Sequence, residues 1–378
     1  MKKALISLAL TLATLVAVPA ADAANESIGL SLAAEPGAGS LYREVHRPVN
    51  ASLTVTVSNP PSETKITPLK VANVTFPGDM DFFPDEKKTP ACPDSKLNEQ
   101  SNLAAGILGV VALCPRSVVG VGTAVVQINQ NKGPSPIPTV TDPKLVVFNA
   151  GRNGQGRPRV LIYGYSKLVG VGLLMRGTLA TNGELRIEIG VLPYDSSISQ
   201  FTMGIPGEPI EVDEGTGETA TIKGLDPGYL RAKCSTGTWR ATGSFVLGTR
   251  EHPSGKPISE DFFLSSNPFE LPCEGQAGKP KLKIKRISGP KKVKPGKRLA
   301  YRLAITNAGT ATARSIRLAA KGAASGRAQT GSLAPGKSRQ VVIRAKASGR
   351  KQTGQVKFAL SGAGFPAVNG TRRLVVSR

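Results

Sequence analysis

The sequence predicts an all-β protein: a large β-sandwich or jelly-roll-like domain followed by a smaller seven-stranded sandwich. Three observations carry that prediction. Short runs that alternate apolar and polar residues, or are rich in β-branched ones, recur along the chain between clusters of Gly, Pro, Asn and Asp. Helix-forming stretches are scarce, and one helix is expected between Leu97 and Leu108, in LNEQSNLAAGIL. Charge also divides the chain in two, because 25 of the 49 basic residues and none of the 26 acidic ones lie beyond Glu274.

The N-terminus reads MKKALISLALTLATLVAVPAADA, with Lys2 and Lys3 ahead of an apolar run and a small-residue site at Ala21-Asp22-Ala23. This is the pattern of a secretory signal peptide, residues 1–23, which predicts export and an extracellular or surface-associated protein. No later stretch is long and apolar enough to span a membrane. Residues 24–276 follow as the first domain, with strand candidates such as ASLTVTVS, LKVANVTFP, PKLVVFN, PRVLIYGYS, LRIEIGVLP and TWRATGSFVLG. They suit one large sandwich, with two smaller ones divided near Asn149 as the alternative.

Four cysteines, Cys92, Cys114, Cys234 and Cys273, fit two disulfides in an oxidising compartment. Of the three possible pairings, proximity favours Cys92 with Cys114 and Cys234 with Cys273, each closing a local loop. A metal site would want closer spacing and histidines, and only the distant His46 and His252 exist, so neither metal nor cofactor is expected.

The second domain, residues 279–378, carries +25, while the part before it is nearly neutral, with 24 basic residues against 26 acidic. KLKIK, RLAYRLAIT, RSIRLAA, RQVVIRAKA, QVKFALSG and RRLVVSR give six or seven short strands in about 100 residues, the spacing of an immunoglobulin-like sandwich. Within it, GSLAPGKS (331–338) fits the phosphate-loop pattern G-x-x-x-x-G-K-[ST]. A phosphate loop must enter a helix, yet the alternating run SRQVVIRAKA follows, and Pro335-Gly336 suits the centre of a type II turn. VKPGKRLAYRL repeats the arrangement with Pro295-Gly296-Lys297, so the match is read as a turn.

The runs VKPGKRLAYRLAITNAGTATARSIRL and GSLAPGKSRQVVIRAKA resemble the CARDB domains, the cell adhesion related domains of bacteria. The shared features are the P-G before the second strand, the N-x-G-x-x-x-A after it and the L-x-P-G-x-S turn. The resemblance implies a secreted or surface module with an immunoglobulin-like fold and no catalytic residues. Most of the segment from Phe76 to Phe245 resembles an uncharacterised family of secreted actinobacterial proteins, through FPGDMDFFPDEKKTPAC, CPRSVVGVG, LVVFNAG and GYLRAKCSTGTWRATGSF.

Catalytic patterns are sparse. No G-x-S-x-G occurs, and the acid clusters Asp79, Asp81, Asp85, Glu86 and Glu211, Asp213, Glu214, Glu218 read as solvated loops rather than calcium sites. Trp239 reads as packed on a disulfide. The protein is therefore expected not to be an enzyme; the alternative is a secreted polysaccharide hydrolase with a carboxylate pair in the N-terminal sandwich. The sharper expectation is polyanion binding by Lys281, Lys283, Lys285, Lys291, Lys292, Lys294, Lys297 and Arg298, the densest basic stretch, against the alternative that this charge only solubilises the domain. Expected partners are anionic cell-wall or surface polymers and another surface protein. Sequence-specific nucleic-acid binding is not expected, since Tyr301, Phe358 and Phe365 are the domain's only aromatics.

Overall fold

The computed structural model describes residues 26–59, 66–98, 103–128, 139–180, 183–193, 196–213 and 219–377, and the expected signal peptide lies outside them. The described chain is nearly all β and forms two bodies, each with its own apolar core.

Alternation dictates how the first strands pair. Ser27–Pro36 buries Ile28, Leu30 and Leu32, and Arg47–Ser58 buries Val49, Ala51, Leu53, Val55 and Val57. The two run antiparallel with Leu30 opposite Val55 and Leu32 opposite Leu53, so both apolar sets share one face. Lys144–Arg152 and Pro158–Ser166 break the pattern, with an unbroken buried run from Leu145 to Gly151 in the first. Their sheet is covered on both sides, which removes the reason for a polar face. Leu145, Val147, Val160 and Ile162 enter the main core, whereas Val146, Phe148, Leu161 and Tyr163 pack with Ile107 and Val110 of the Gly106–Leu113 helix.

The main N-terminal sheet runs in the order Phe262–Ser265, Thr238–Leu247, Leu69–Thr75, Glu184–Glu188, Val171–Leu179, Pro158–Ser166, Lys144–Arg152, Val118–Gln127, Ser197–Ile205, Arg47–Ser58, Leu230–Ala232, Met80–Phe82. Val55 and Phe245, near opposite ends of this order, share one core, so the sheet curls around it. Asn149 lies inside a strand paired on both sides, which places the chain before and after it in the same sheet.

A helix forms over Gly106–Leu113 and a four-residue turn over Asp94–Leu97, while residues 99–102 of the helix expected between Leu97 and Leu108 lie outside the described residues. GILGVVAL looks like strand by its valines, but it is set between the double-faced sheet and the Cys92–Cys114 disulfide, and tertiary packing overrides propensity. Both disulfides join the neighbours in sequence, Cys92 to Cys114 and Cys234 to Cys273, with Cα separations of 5.7 and 6.0 Å. Each contributes about 3 to 4 kcal/mol by restricting the unfolded chain.

The C-terminal sheet runs in the order Leu282–Ser288, Arg298–Asn307, Ser338–Ala347, Ala324–Thr330, Arg314–Gly322, Gln352–Ala363, Phe365–Val376, Lys292–Val293. Seven of these eight strands have seven residues or more; the eighth is the pair Lys292–Val293, parallel to the last strand. Tyr301 and Phe358 meet edge to face across the core, 5.0 Å between ring centres. The two P-G-K segments are type II turns: the Lys297 and Lys337 amides donate to the Lys294 and Ala334 carbonyls, and Gly296 and Gly336 sit at φ +69° and +71°.

Asn307 explains the rest of the resemblance. Its carboxamide is fully buried, accepts from the amides of Lys281 (3.1 Å) and Gly309 (3.0 Å), and donates to the carbonyls of Ala311 (2.8 Å) and Leu333 (2.9 Å). Gly309 must be glycine there, because a Cβ would stand 2.3 Å from the Lys279 carbonyl oxygen. Ala313 and Leu333 exchange backbone bonds beside it. Asn307→Ala strands two donors and the Ala311 carbonyl, so thermal unfolding should show a loss of about 3 kcal/mol or more in the C-terminal transition. A loss below about 1 kcal/mol would mean that water replaces the carboxamide.

Candidate functional site

From residue 279 onward every described lysine and arginine is exposed except Arg372. Strand alternation causes this: once Leu299, Tyr301, Leu303 and Ile305 turn inward, Arg298, Ala300 and Arg302 must face water. Arg372 is half-buried because its guanidinium donates to the carbonyls of Ile287 and Gly289, 2.7 Å each.

All eight sequence-predicted residues are exposed, and six of them flank one seam. Lys281, Lys283 and Lys285 belong to the first strand of the sheet order, Leu282–Ser288, and its approach; Lys291, Lys292 and Lys294 belong to the last, Lys292–Val293, and its flanks. These end strands are consecutive in sequence, and the curl of the sheet brings them to the same edge, where Arg372 ties Phe365–Val376 to the first strand. Lys297 stands on the Pro295-Gly296 turn, and Arg298 opens the next strand.

Cross-strand register adds cations that nearness in sequence does not reveal. Arg298 lies directly opposite Lys346, and Ala300 opposite Arg344, so the outer face of Arg298–Asn307 and Ser338–Ala347 carries Arg298, Arg302, Arg344 and Lys346. On the other half of the sheet, Lys321 stands opposite Lys357. Like charges directly opposed on one face cost stability, and no acid of this domain is present to relieve them. The signal was the exposed set of alternate positions in RLAYRLAIT and RQVVIRAKA; the missing step was their register.

In the first acid cluster Asp81 and Glu86 are exposed, whereas Asp79 is taken up in the structure. Asp79 is nearly buried, accepts from the amide (2.6 Å) and hydroxyl (2.8 Å) of Ser235, and faces Lys233 at 3.7 Å, beside Cys234 rather than Cys92. Asp81 and Asp85 accept from nearby backbone amides. Glu211 and Asp213 lie on a short strand, with Glu214 and Glu218 outside the described residues. Among the described residues no group of three His, Cys, Asp or Glu is placed to hold a metal ion. Trp239 is buried in the same cluster as Cys234 and donates from Nε1 to the Lys233 carbonyl at 2.9 Å.

His46 packs against Phe83 at 5.6 Å, and its Nε2 is buried with no partner among the described residues. Burial, and then the Lys233 charge, lower its pKa from the ordinary 6.5, against the opposing pull of Asp81 and Asp79.

Residues 279–361 match the CARDB family model. The C-terminal body is therefore similar to CARDB domains over a segment that holds Asn307, Gly309, Ala313 and both P-G-K turns, and it has the expected immunoglobulin-like fold. The second resemblance, over most of 76–245, gains no support. No curated protein matches the chain. Among solved structures, a Salmonella alpha-2-macroglobulin mutant aligns with 93% of this chain at 11% identity and a TM-score of 0.20, too loosely to carry an argument; the chain spans 32% of that protein's length.

Two measurements follow from this geometry. Lys346→Glu converts an opposed cation pair into an attractive one, so the melting temperature should rise by a few degrees at low salt and the gain should shrink as salt is added. For His46, the folded state resists the proton, so stability should hold above pH 6.5 and fall as pH drops below it. His46→Gln should flatten that part of the pH profile in chemical denaturation.

Proposed function

We propose that this is an exported, surface-associated, non-catalytic binding protein whose basic C-terminal sandwich docks on anionic surface polymers. The observation that carries the reading is the unbroken exposure of the domain's cations in a segment without a single acid. Solubility alone needs net charge and gains nothing from opposed cation pairs, whereas a surface that meets a polyanion recovers their repulsion when counterions are released. Similarity to CARDB domains supports a surface-associated role, and the two disulfides support an oxidising compartment. No described helix is long and apolar enough to cross a membrane.

The residues Lys281, Lys283, Lys285, Lys291, Lys292, Lys294, Lys297 and Arg298 form one arm of the docking surface, and Arg302, Arg344 and Lys346 extend it across the sheet. A flexible polymer with a charge on every unit suits this spread better than a compact ligand, because the cations stand along exposed strand faces and turns. N-terminal residues would present a second partner, such as another surface protein.

Co-sedimentation of the full chain with purified anionic wall polymer at low and high salt tests the reading. Binding should be strong at low salt, and its logarithm should fall linearly with the logarithm of salt concentration. Charge reversal at Lys283, Lys285, Arg298 and Lys346 should flatten that slope by about one for each polymer charge that the domain then leaves unneutralised. Binding that ignores both salt and reversal rules electrostatic docking out.

A further inference from the structure

The curled N-terminal sheet encloses an unfilled space that polymer docking does not use. A cavity of about 80 Å³ lies between Val118–Gln127, Lys144–Arg152, Pro158–Ser166, Val171–Leu179 and Ser197–Ile205. Its walls are mainly apolar, with Val126, Val140, Leu145, Leu173, Met175 and Ile198 among them. Behind Ala124, Leu145, Met175 and Ile198 a second void of about 30 Å³ continues into the core.

The polar groups on the wall are mostly engaged. Ser166 donates to Asp142 at 2.7 Å, and Ser196 donates to the Pro193 carbonyl at 2.7 Å. A cavity of this size has room for water, but water needs two or more polar partners, and such a lining supplies too few. An apolar group gains from the same lining, and the two voids in series suit a narrow chain better than a ring.

The entrance points the same way. Val169 lines the cavity and is 43% exposed, so the space reaches the surface there. Beside it, at the tip of the hairpin joining Pro158–Ser166 to Val171–Leu179, Leu168 is 76% exposed. This tip is held in place: Asp142 accepts from the Ser166 hydroxyl with one oxygen and from the Leu168 amide, at 3.0 Å, with the other. A leucine held at the mouth of an apolar cavity gives an apolar group leaving it a surface to meet.

We propose that this cavity takes the end of an unbranched acyl chain from an amphiphile, with Leu168 and Val169 meeting the chain where it leaves the cavity. The headgroup stays outside, in water. Met175, an adaptable side chain at the boundary of the two voids, swings to admit the chain into the inner one. This inference concerns the N-terminal body and stands apart from polymer docking by the C-terminal one.

The test is fluorescence titration of the full chain with cis-parinaric acid in high salt, followed by displacement with neutral 1-dodecanol. High salt and a neutral competitor separate cavity binding from attraction to the basic sandwich. Saturation near one equivalent and displacement by dodecanol are expected. Ala124→Phe, which plugs the passage between the voids, should weaken binding about tenfold, the worth of roughly two buried methylenes. Leu168→Asp changes only an exposed tip, so it decides the matter if the first variant fails to fold, and it should weaken binding severalfold. Absence of saturable binding, failure of dodecanol to displace, or unchanged affinity in folded Ala124→Phe or in Leu168→Asp overturns the assignment, whether the space is then filled by this chain or by another protein.

Discussion

A carboxamide taken out of water has four hydrogen-bonding places to fill, and each body of this protein is organised around one asparagine under that constraint. In the C-terminal sandwich, Asn307 joins the chain entering the domain at Lys281, its own loop, and the segment around Leu333. In the N-terminal body, Asn149 donates to the Thr89 carbonyl and accepts from the Gly151 amide and the Tyr229 hydroxyl, while its backbone bonds Cys92 and Ser117. That one residue ties the disulfide loop at Cys92, the turn at Ser117 and the Tyr229 segment to the central strand. Both side chains are fully buried, so each holds its partners where the folded chain shields their hydrogen bonds.

What was legible in the sequence was whatever depends on a few adjacent residues. Alternation in KLKIK and RLAYRLAIT gave strands and their inward faces, Pro followed by Gly gave two type II turns, and cysteine spacing gave the pairing. Features that need three dimensions were hidden. GILGVVAL folds as a helix because a two-sided sheet and a disulfide hold it, and nothing in its own residues says so. The opposition of Arg298 to Lys346 and of Lys321 to Lys357 depends on register across strands distant in sequence. The N-terminal cavity was invisible for the same reason, since its lining comes from separate strands and each residue alone reads as ordinary core.

Electrostatics divides the molecule more sharply than the fold does. Before residue 275, acids are taken up in structure: Asp79 on Ser235, Asp142 on the hairpin tip, and Asp226, 1% exposed, on the Gly228 amide. After it the chain has no acid of its own, and Glu44 of the first part reaches across to the Thr312 amide and hydroxyl. Stability in that domain must come from Asn307, the turns and a core in which Tyr301 meets Phe358. Its surface is thereby free to answer to ionic surroundings without changing the fold beneath.

The seam between Leu282–Ser288 and Phe365–Val376 has a consequence beyond charge. An open sheet of eight strands would end in two rows of unpaired amides and carbonyls, each a template for a neighbouring chain. Here the Arg372 guanidinium occupies the carbonyls of Ile287 and Gly289, and the Val375 and Ser377 amides occupy those of Lys291 and Val293. Any copy seeking to add a strand would first have to displace these bonds, and would do so across a line of lysines that repels a second copy's own. A domain that gathers at high density on a polymer would thus crowd without polymerising.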